Sequence, residues 1–472
     1  MHPSTLAKRV YIFLFLIIIA FYLFGIGSLP LLGPDEPRYA QVAREMFVRG
    51  DAVTPTLGGH TWFEKPALLY WMIAASFKVF GVSEFSARLG PAVCGLLTIA
   101  AVWCVGRRID DSFGFWSLIV TATCLGLIVF SRAASFDVVI TMTTTWALAF
   151  FLLHEQRTTN FKKMLLLGFY ACIGLSLIAK GLVGIVVPFG VVGLFYLLRR
   201  KWPQRSVWLS LIWGVPLALA VSAIWYGPVI ARHGWSFIDE FFLQHHFARY
   251  VSNKYHHPQP FYFFPVIILM LALPWTPYLI YSLAKARHWT WRGDDNSSIV
   301  RLFAVAWLVV PVVFFSFSGS KLPGYVLPAL PAAALLTADV LRQRKPVVPI
   351  VLAYGTVVLV VVALIFFAKP IANRESVRDL LLLADARGYA NAPVLARNTD
   401  DRSAQFYAHD RVVYGDDEEV LTFDRVSNAA ARQLGERIVV LIPVEYVENF
   451  RNSPKIEVIG DNGRTAILGW TP

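Results

Sequence analysis

Apolar runs approaching the ~20 residues that cross a bilayer recur near 10–27, 87–106, 113–131, 136–153, 164–179, 182–198, 206–226, 261–284, 300–317, 325–341 and 347–368. They predict a polytopic α-helical membrane protein with about 11 (11–13) transmembrane helices. Between the first two runs lie two stretches with helical apolar spacing, about 38–48 and 66–80, that predict helices lying along the membrane surface. From about residue 370 the pattern turns soluble, with charges throughout and short β-type runs at Pro393–Ala396 and Arg437–Ile442. The segment Ile456–Gly469 predicts a hairpin turning at Asn462-Gly463. The expected organisation is a membrane domain over 1–369, with long loops at 28–86 and 227–260, followed by a small α/β domain over 370–472.

Positive charge orients the spans. With the N-terminus inside, Arg107 and Arg108, then Arg157, Lys162 and Lys163, then Arg199 to Lys201 with Arg205, all face the inner side. Lys285, Arg287 and Arg292, and finally Arg342, Arg344 and Lys345, fall on that side too. An odd number of spans then puts the C-terminal domain outside, with the two long loops and three short ones near 132–136, 180 and 318–324. The first run follows Lys8 and Arg9 without a clean small-residue cleavage site, so it is read as a retained span rather than a signal peptide.

Composition agrees with lipid as the main solvent: 56% of residues are hydrophobic, 16% are charged, and the mean hydropathy is +0.55. The net charge of +12 resides in the short clusters that set topology, which argues against a nucleic-acid partner. Cys94, Cys104, Cys124 and Cys172 lie inside apolar runs without metal-ligand spacing, so disulfide or thiol chemistry is not expected.

Unusual polar residues collect in the outer loops. Asp35, Glu36 and Arg38 in GPDEPRYAQVARE suit a site that handles a hydroxyl and a phosphate together, or simply begin a helix before Pro37. Glu64 and Lys65 in WFEKP place a cation among aromatics at headgroup level, where it either meets a lipid phosphate or snorkels. Asp137 and Lys180 interrupt apolar sequence near the outer interface, as functional groups or as a mutual ion pair. His245 and His246 point about 100° apart on a helix, so only one can join Glu64 as a metal ligand. Lys321 and Tyr325 flank the Pro323-Gly324 turn as a further phosphate-binding pair or as interfacial anchors.

The succession GPDEPRYAQVAREM, FEKPALLYW, the Asp137 segment, Lys180-Gly181, HHF and SKLPGYVLP resembles the bacterial 4-amino-4-deoxy-L-arabinose lipid A transferases and the protein O-mannosyltransferases, over roughly residues 10–340. The resemblance implies a C-type glycosyltransferase fold with periplasmic interfacial helices, in the bacterial inner membrane, with active site and C-terminal domain periplasmic. It implies a polyprenyl-phosphate-linked sugar as donor, lipid A or another glycan as acceptor, and no nucleotide. It further implies Asp35 as catalytic acid, Arg38, Lys65 and Tyr325 on the donor phosphate, Glu64 and His246 as a divalent metal pair (zinc, magnesium or manganese), and Asp137 and Lys180 lining the cavity. Glu36 is carried beside Asp35, and Lys321 beside Tyr325. The chain is shorter than those relatives after KLPGY, and Gly324 stands where Thr is more usual. A protein O-glycosyltransferase and a flippase for a lipid-linked sugar are the alternatives.

Overall fold

A computed structural model describes residues 5–156, 161–248, 259–397, 402–415, 420–426 and 428–472. The chain forms two compact units, one comprising Met1–Phe24, Phe63–Leu69 and Leu89–Val360, the other Gly25–Trp62, Tyr70–Arg88 and Val361–Pro472. Its first ten helices are α1 (Thr5–Leu23), α2 (Asp35–Arg49), α3 (Leu68–Phe80), α4 (Glu84–Arg107), α5 (Asp111–Thr123), α6 (Leu125–Phe130), α7 (Phe136–Glu155), α8 (Lys162–Lys180), α9 (Val183–Arg199) and α10 (Arg205–Ile238). Among the described residues, seven helices are long and apolar enough to cross a membrane. The expected surface helices correspond to α2 and α3.

Every one of the eleven apolar runs contains helix, but two are broken. The run 113–131 divides into α5 and α6 at Cys124, whose backbone is extended. The run 261–284 divides into Phe263–Leu271 and Thr276–Ala284. Hydrocarbon cannot satisfy the backbone groups that such breaks release. Here the breaks satisfy each other: Leu125 N donates to the Leu273 carbonyl at 2.9 Å, and the Trp275 indole donates to Thr123 Oγ1 at 3.0 Å. The threonines of α7 solve a related problem by bonding back one turn, with Thr141 Oγ1 on the Asp137 carbonyl at 2.6 Å and Thr144 Oγ1 on that of Ile140 at 2.6 Å.

The expected loop at 227–260 is helical through Ala248. Helix α10 continues for 34 residues to Ile238, and a wider π-type turn carries the chain through Ala248. Dense aromatics rather than turn residues fill this segment. Inside it, Gly234 adopts φ 56° and ψ −131°, a conformation essentially confined to glycine.

In the second unit, strands β1 (Thr56–Leu57) and β2 (His60–Thr61) form a small hairpin, and β3 (Val394–Ala396), β4 (Ile438–Pro443), β5 (Ile456–Asp461) and β6 (Thr465–Trp470) form a sheet in the order β3-β4-β6-β5. β5 and β6 are the antiparallel hairpin expected around Asn462-Gly463. β4 buries both faces: Val439 and Leu441 pack with Leu380 and Leu381, while Ile438, Val440 and Ile442 pack with Trp470 and Ala431.

This unit is not the C-terminal segment alone, since residues 25–62 and 70–88 belong to it. Arg44 of α2 donates to the Phe406 carbonyl at 3.0 Å. The Tyr407 hydroxyl accepts from Leu31 N at 2.8 Å and donates to Glu84 at 2.9 Å. Burial, reinforced by Glu84, pushes the Tyr407 phenol up, so it stays protonated and able to donate. Arg378 adds an ion pair to Glu84 at 3.1 Å. Polar anchors of this kind leave no apolar periodicity, so the sequence pattern did not disclose them.

Arg88 holds the start of α2. It is 3% exposed and makes five hydrogen bonds: to both Glu36 carboxylate oxygens at 2.6 and 2.8 Å, and to the carbonyls of Ile26, Leu29 and Pro30 at 2.8, 2.7 and 2.7 Å. Only a guanidinium presents that many donors in a fixed plane. Arg88→Lys therefore strands acceptors beside a buried carboxylate and is expected to destabilise the unit by ~3–5 kcal/mol. Unfolding of the purified protein, with proteolysis of segment 25–62 as a local probe, checks this.

Candidate active site

The first unit assembles one polar cluster from three distant segments. Ser135 caps α7, its hydroxyl accepting from Asp137 N at 3.1 Å, and this fixes Asp137 in the first turn of that helix. Lys180 ends α8 before Gly181, whose φ of 68° closes the helix. The Lys180 ammonium forms an ion pair with Asp137 and lies 4.6 Å from the Tyr325 ring centroid. Tyr325 is packed by Phe315 at 5.1 Å and stacks on Phe264 at 6.5 Å.

Gly324 explains how closely this cluster assembles. A Cβ at that position would collide with the Asp137 carboxylate and the Phe130 ring. The glycine found where Thr was expected thus makes room for the ion pair. The mutual ion pair weighed for Asp137 and Lys180 is formed, and it neutralises both charges near the ends of two spans.

Glu64 and Lys65 form a second acid–cation pair at 2.6 Å, with side chains 10% and 14% exposed. Their position is set by Phe63, which is buried against His233 at 5.0 Å and Phe237 at 5.1 Å. Phe63 N also donates to Glu240 at 3.4 Å. Trp225, Phe237 and Phe241 continue the aromatic packing at centroid separations of 5.5 and 5.2 Å. The sequence reading did not single out this bracket, although the aromatic density of WSFIDEFF was its visible signal.

The Lys321 ammonium donates to the Gln259 carbonyl at 2.9 Å rather than to Tyr325. The His246 side chain lies outside the described residues, so the metal pair is represented by Glu64 alone. Among the described residues no group of three or more His, Cys, Asp or Glu is placed to hold an ion.

The second unit holds the DEPRY residues. Pro34, not Asp35, occupies the N-cap of α2, and no side chain caps it. Asp35 pairs with Arg38 one turn on at 2.6 Å, its own side chain half exposed. The Arg38 guanidinium lies over Trp62 at 5.0 Å and Tyr39 at 5.7 Å. Glu36 differs from its neighbour: it is buried, bound by Arg88 through both oxygens, and accepts from Leu32 N at 2.8 Å. Arg88 itself was not selected from the sequence, where its signal was an arginine at the edge of an apolar run.

The architecture is that of C-type membrane glycosyltransferases. Over 97% of this chain and 98% of the other, it superposes on ArnT from Cupriavidus metallidurans bound to undecaprenyl phosphate with a TM-score of 0.81 at 22% identity. Over 94% and 70% it superposes on the oligosaccharyltransferase AglB from Archaeoglobus fulgidus with a TM-score of 0.57 at 13% identity. Residues 64–226 match the family described as dolichyl-phosphate-mannose-protein mannosyltransferase. The undecaprenyl phosphate-alpha-4-amino-4-deoxy-L-arabinose arabinosyl transferases of Erwinia tasmaniensis and Pseudomonas aeruginosa are each 32% identical, over 67% and 69% of this chain. The chain covers 57% and 58% of the length of those two relatives. It is a multi-pass membrane protein and belongs to the bacterial 4-amino-4-deoxy-L-arabinose transferase and protein O-mannosyltransferase family.

The pairing in the first unit has a direct energetic test. Asp137→Asn and Lys180→Met each leave one largely buried charge without its partner, whereas the double variant leaves neither. A double-mutant cycle on thermal unfolding is expected to show a coupling of ~1–3 kcal/mol, with the double variant closer to the parent than the sum of the singles. Strict additivity would mean that the two charges are compensated independently.

Proposed function

We propose that this chain transfers a sugar from a polyprenyl-phosphate donor to lipid A or another glycan outside the bacterial inner membrane. The observation that carries the reading is the Asp137, Lys180, Gly324 and Tyr325 cluster, a cation and a phenol drawn together from three segments at span ends. The donor class is supported by the relatives, whose names specify undecaprenyl phosphate and aminoarabinose. Basic residues collecting in alternate loops support an orientation with the C-terminal unit in the periplasm.

The reaction is a displacement at the anomeric carbon. The bond from that carbon to the phosphate oxygen breaks, its electron pair leaves with the polyprenyl phosphate, and an acceptor oxygen forms the new bond. Negative charge grows on the phosphate as the bond breaks, so groups that bind it more tightly at that stage lower the barrier. Lys65, Lys180 and the Tyr325 hydroxyl take this part in the first unit; Lys321 is held at the rim. In the resting protein Lys65 and Lys180 are matched by Glu64 and Asp137. An incoming phosphate exchanges for a carboxylate, so neither cation is ever left bare against hydrocarbon.

In the second unit Asp35 serves the acceptor and Arg38 a phosphate, and Glu36 positions them through its clamp on Arg88. An acceptor phosphate is already ionised, so Asp35 orients it; an acceptor hydroxyl must lose its proton, and Asp35 is then the general base. A divalent ion at Glu64 and His246 is carried as part of the proposal on donor chemistry alone, and no step above requires it. The match of residues 64–226 to the protein mannosyltransferase family favours a protein hydroxyl as the second acceptor class.

Mass spectrometry of lipid A and total glycans from cells with and without the gene identifies the product. With reconstituted enzyme, Asp35→Asn is expected to lower transfer to a hydroxyl by ~10²–10⁴-fold and transfer to a phosphate far less. Undiminished transfer to both acceptors removes Asp35 from the mechanism.

A further inference from the structure

Along α8 from Lys180 towards the helix's start, the first unit has a cavity that the transfer reaction does not use. It measures about 560 Å³ and lies among α7, α8, α9 and the start of α10. Tyr170, one of its walls, precedes Lys180 by ten residues, about 15 Å along the helix. Phe151, Phe169 and Phe189 supply the other aromatic walls. The two phenols of this lining are both engaged, the Tyr170 hydroxyl with Ser210 at 2.9 Å and the Tyr196 hydroxyl with Glu155 at 2.8 Å. Such a lining suits an apolar occupant better than water.

The rim is different in kind. Arg200, Lys201, Trp202 and Trp208 border the cavity, and the two tryptophans are 86% and 50% exposed. Exposed indoles beside apolar helices are the usual furniture of a headgroup layer. The acids nearby are already engaged: Glu155 binds Tyr196 at 2.8 Å and Arg199 at 3.3 Å, and Asp294 binds Arg199 at 2.8 Å and Lys201 at 2.6 Å. Two cations, Arg200 and Arg205, are exposed and have no ion-pair partner among the described residues. Arg200 also holds φ 53° and ψ 37° at the end of α9, a left-handed position where glycine or asparagine costs less. An arginine kept there at a backbone cost points to a task for its side chain.

We propose that this cavity is a binding site for one anionic phospholipid of the leaflet opposite the Lys180 end, with an acyl chain against the aromatic walls and the headgroup phosphate on Arg200 and Arg205. Charge complementarity selects the headgroup, and the dry aromatic lining selects the chain. The site rests on the membrane location of the helices and is independent of the transfer chemistry.

Gly193 supplies a clean test. It lines the cavity and a Cβ there would meet nothing within 4 Å, so Gly193→Leu fills the space without disturbing packing. Arg200→Asn removes the charge with a residue that tolerates the left-handed conformation. Thermal unfolding of the full chain in neutral detergent is followed with added phosphatidylglycerol, phosphatidylcholine of the same acyl chains, inorganic phosphate or undecaprenyl phosphate. Phosphatidylglycerol alone is expected to raise the midpoint, by about 3 °C or more. Arg200→Asn should raise the phosphatidylglycerol needed for half the effect about tenfold, and Gly193→Leu should abolish the rise. Neither variant should fall below the parent's lipid-free midpoint, since Arg200→Asn relieves the left-handed backbone and Gly193→Leu removes a glycine from a helix interior. The proposal fails if phosphatidylcholine, phosphate or undecaprenyl phosphate reproduces the shift. It fails equally if Gly193→Leu responds like the parent, or if its lipid-free midpoint falls.

Discussion

A charged side chain at the edge of hydrocarbon must find compensation within a few ångströms, because neither lipid nor a packed interior supplies it. This requirement shapes both units. Lys180 is matched by Asp137, Lys65 by Glu64, Arg38 by Asp35, and the buried Arg88 by Glu36 together with three carbonyls. Lys321 reaches a backbone carbonyl. The helices provide the apolar frame, and these pairs determine which ends of it are polar and in what geometry. The same demand operates on the backbone, where the breaks at Cys124 and in 272–275 bond to one another.

Pairs of this kind differ in how readily they exchange partners. Arg88 uses every donor it has, so its clamp is fixed and Glu36 cannot react without dismantling it. Lys180 and Lys65 meet their carboxylates through an ammonium, whose three donors reorient about its last bond as a guanidinium's fixed plane cannot. The distinction separates residues that hold the protein's shape from residues that can change partners during a reaction. Gly324 enters here as well, since removing one side chain is what lets the Asp137 carboxylate lie against the backbone beside Lys180.

Much of this was legible in the residues. Long apolar runs located the membrane helices, helical spacing located α2 and α3, and the Asn462-Gly463 turn located the last hairpin. What escaped were features fixed by tertiary contact. The breaks within 113–131 and 261–284 sit in sequence that is apolar throughout, so hydropathy could not register them. Residues 227–248 combine aromatics with Asp239, Glu240 and Gln244 and read as loop, yet packing between Phe63 and Phe237 favours helix. The part that residues 25–62 and 70–88 take in the second unit was not legible, because Arg44, Glu84 and Arg378 act through polar bonds across long sequence separations, which periodicity cannot show. The Asp137 and Lys180 pairing was visible as two rare charges in lipid-like sequence; Arg88 was overlooked because it stood at a run's edge.

Gly234 carries one more implication. A helix of the length of α10 would extend about 51 Å if straight, against a hydrocarbon core of ~30 Å. The chain must therefore turn soon after leaving the apolar layer, and it does so at a residue whose backbone angles no side-chain-bearing amino acid adopts comfortably. The direction taken by His233 to Phe241, and with it the seat of Phe63, is thus encoded in the absence of an atom rather than in any attractive contact. A Cβ at this corner would force the backbone out of that conformation, and the bracket around Phe63 would have to be rebuilt.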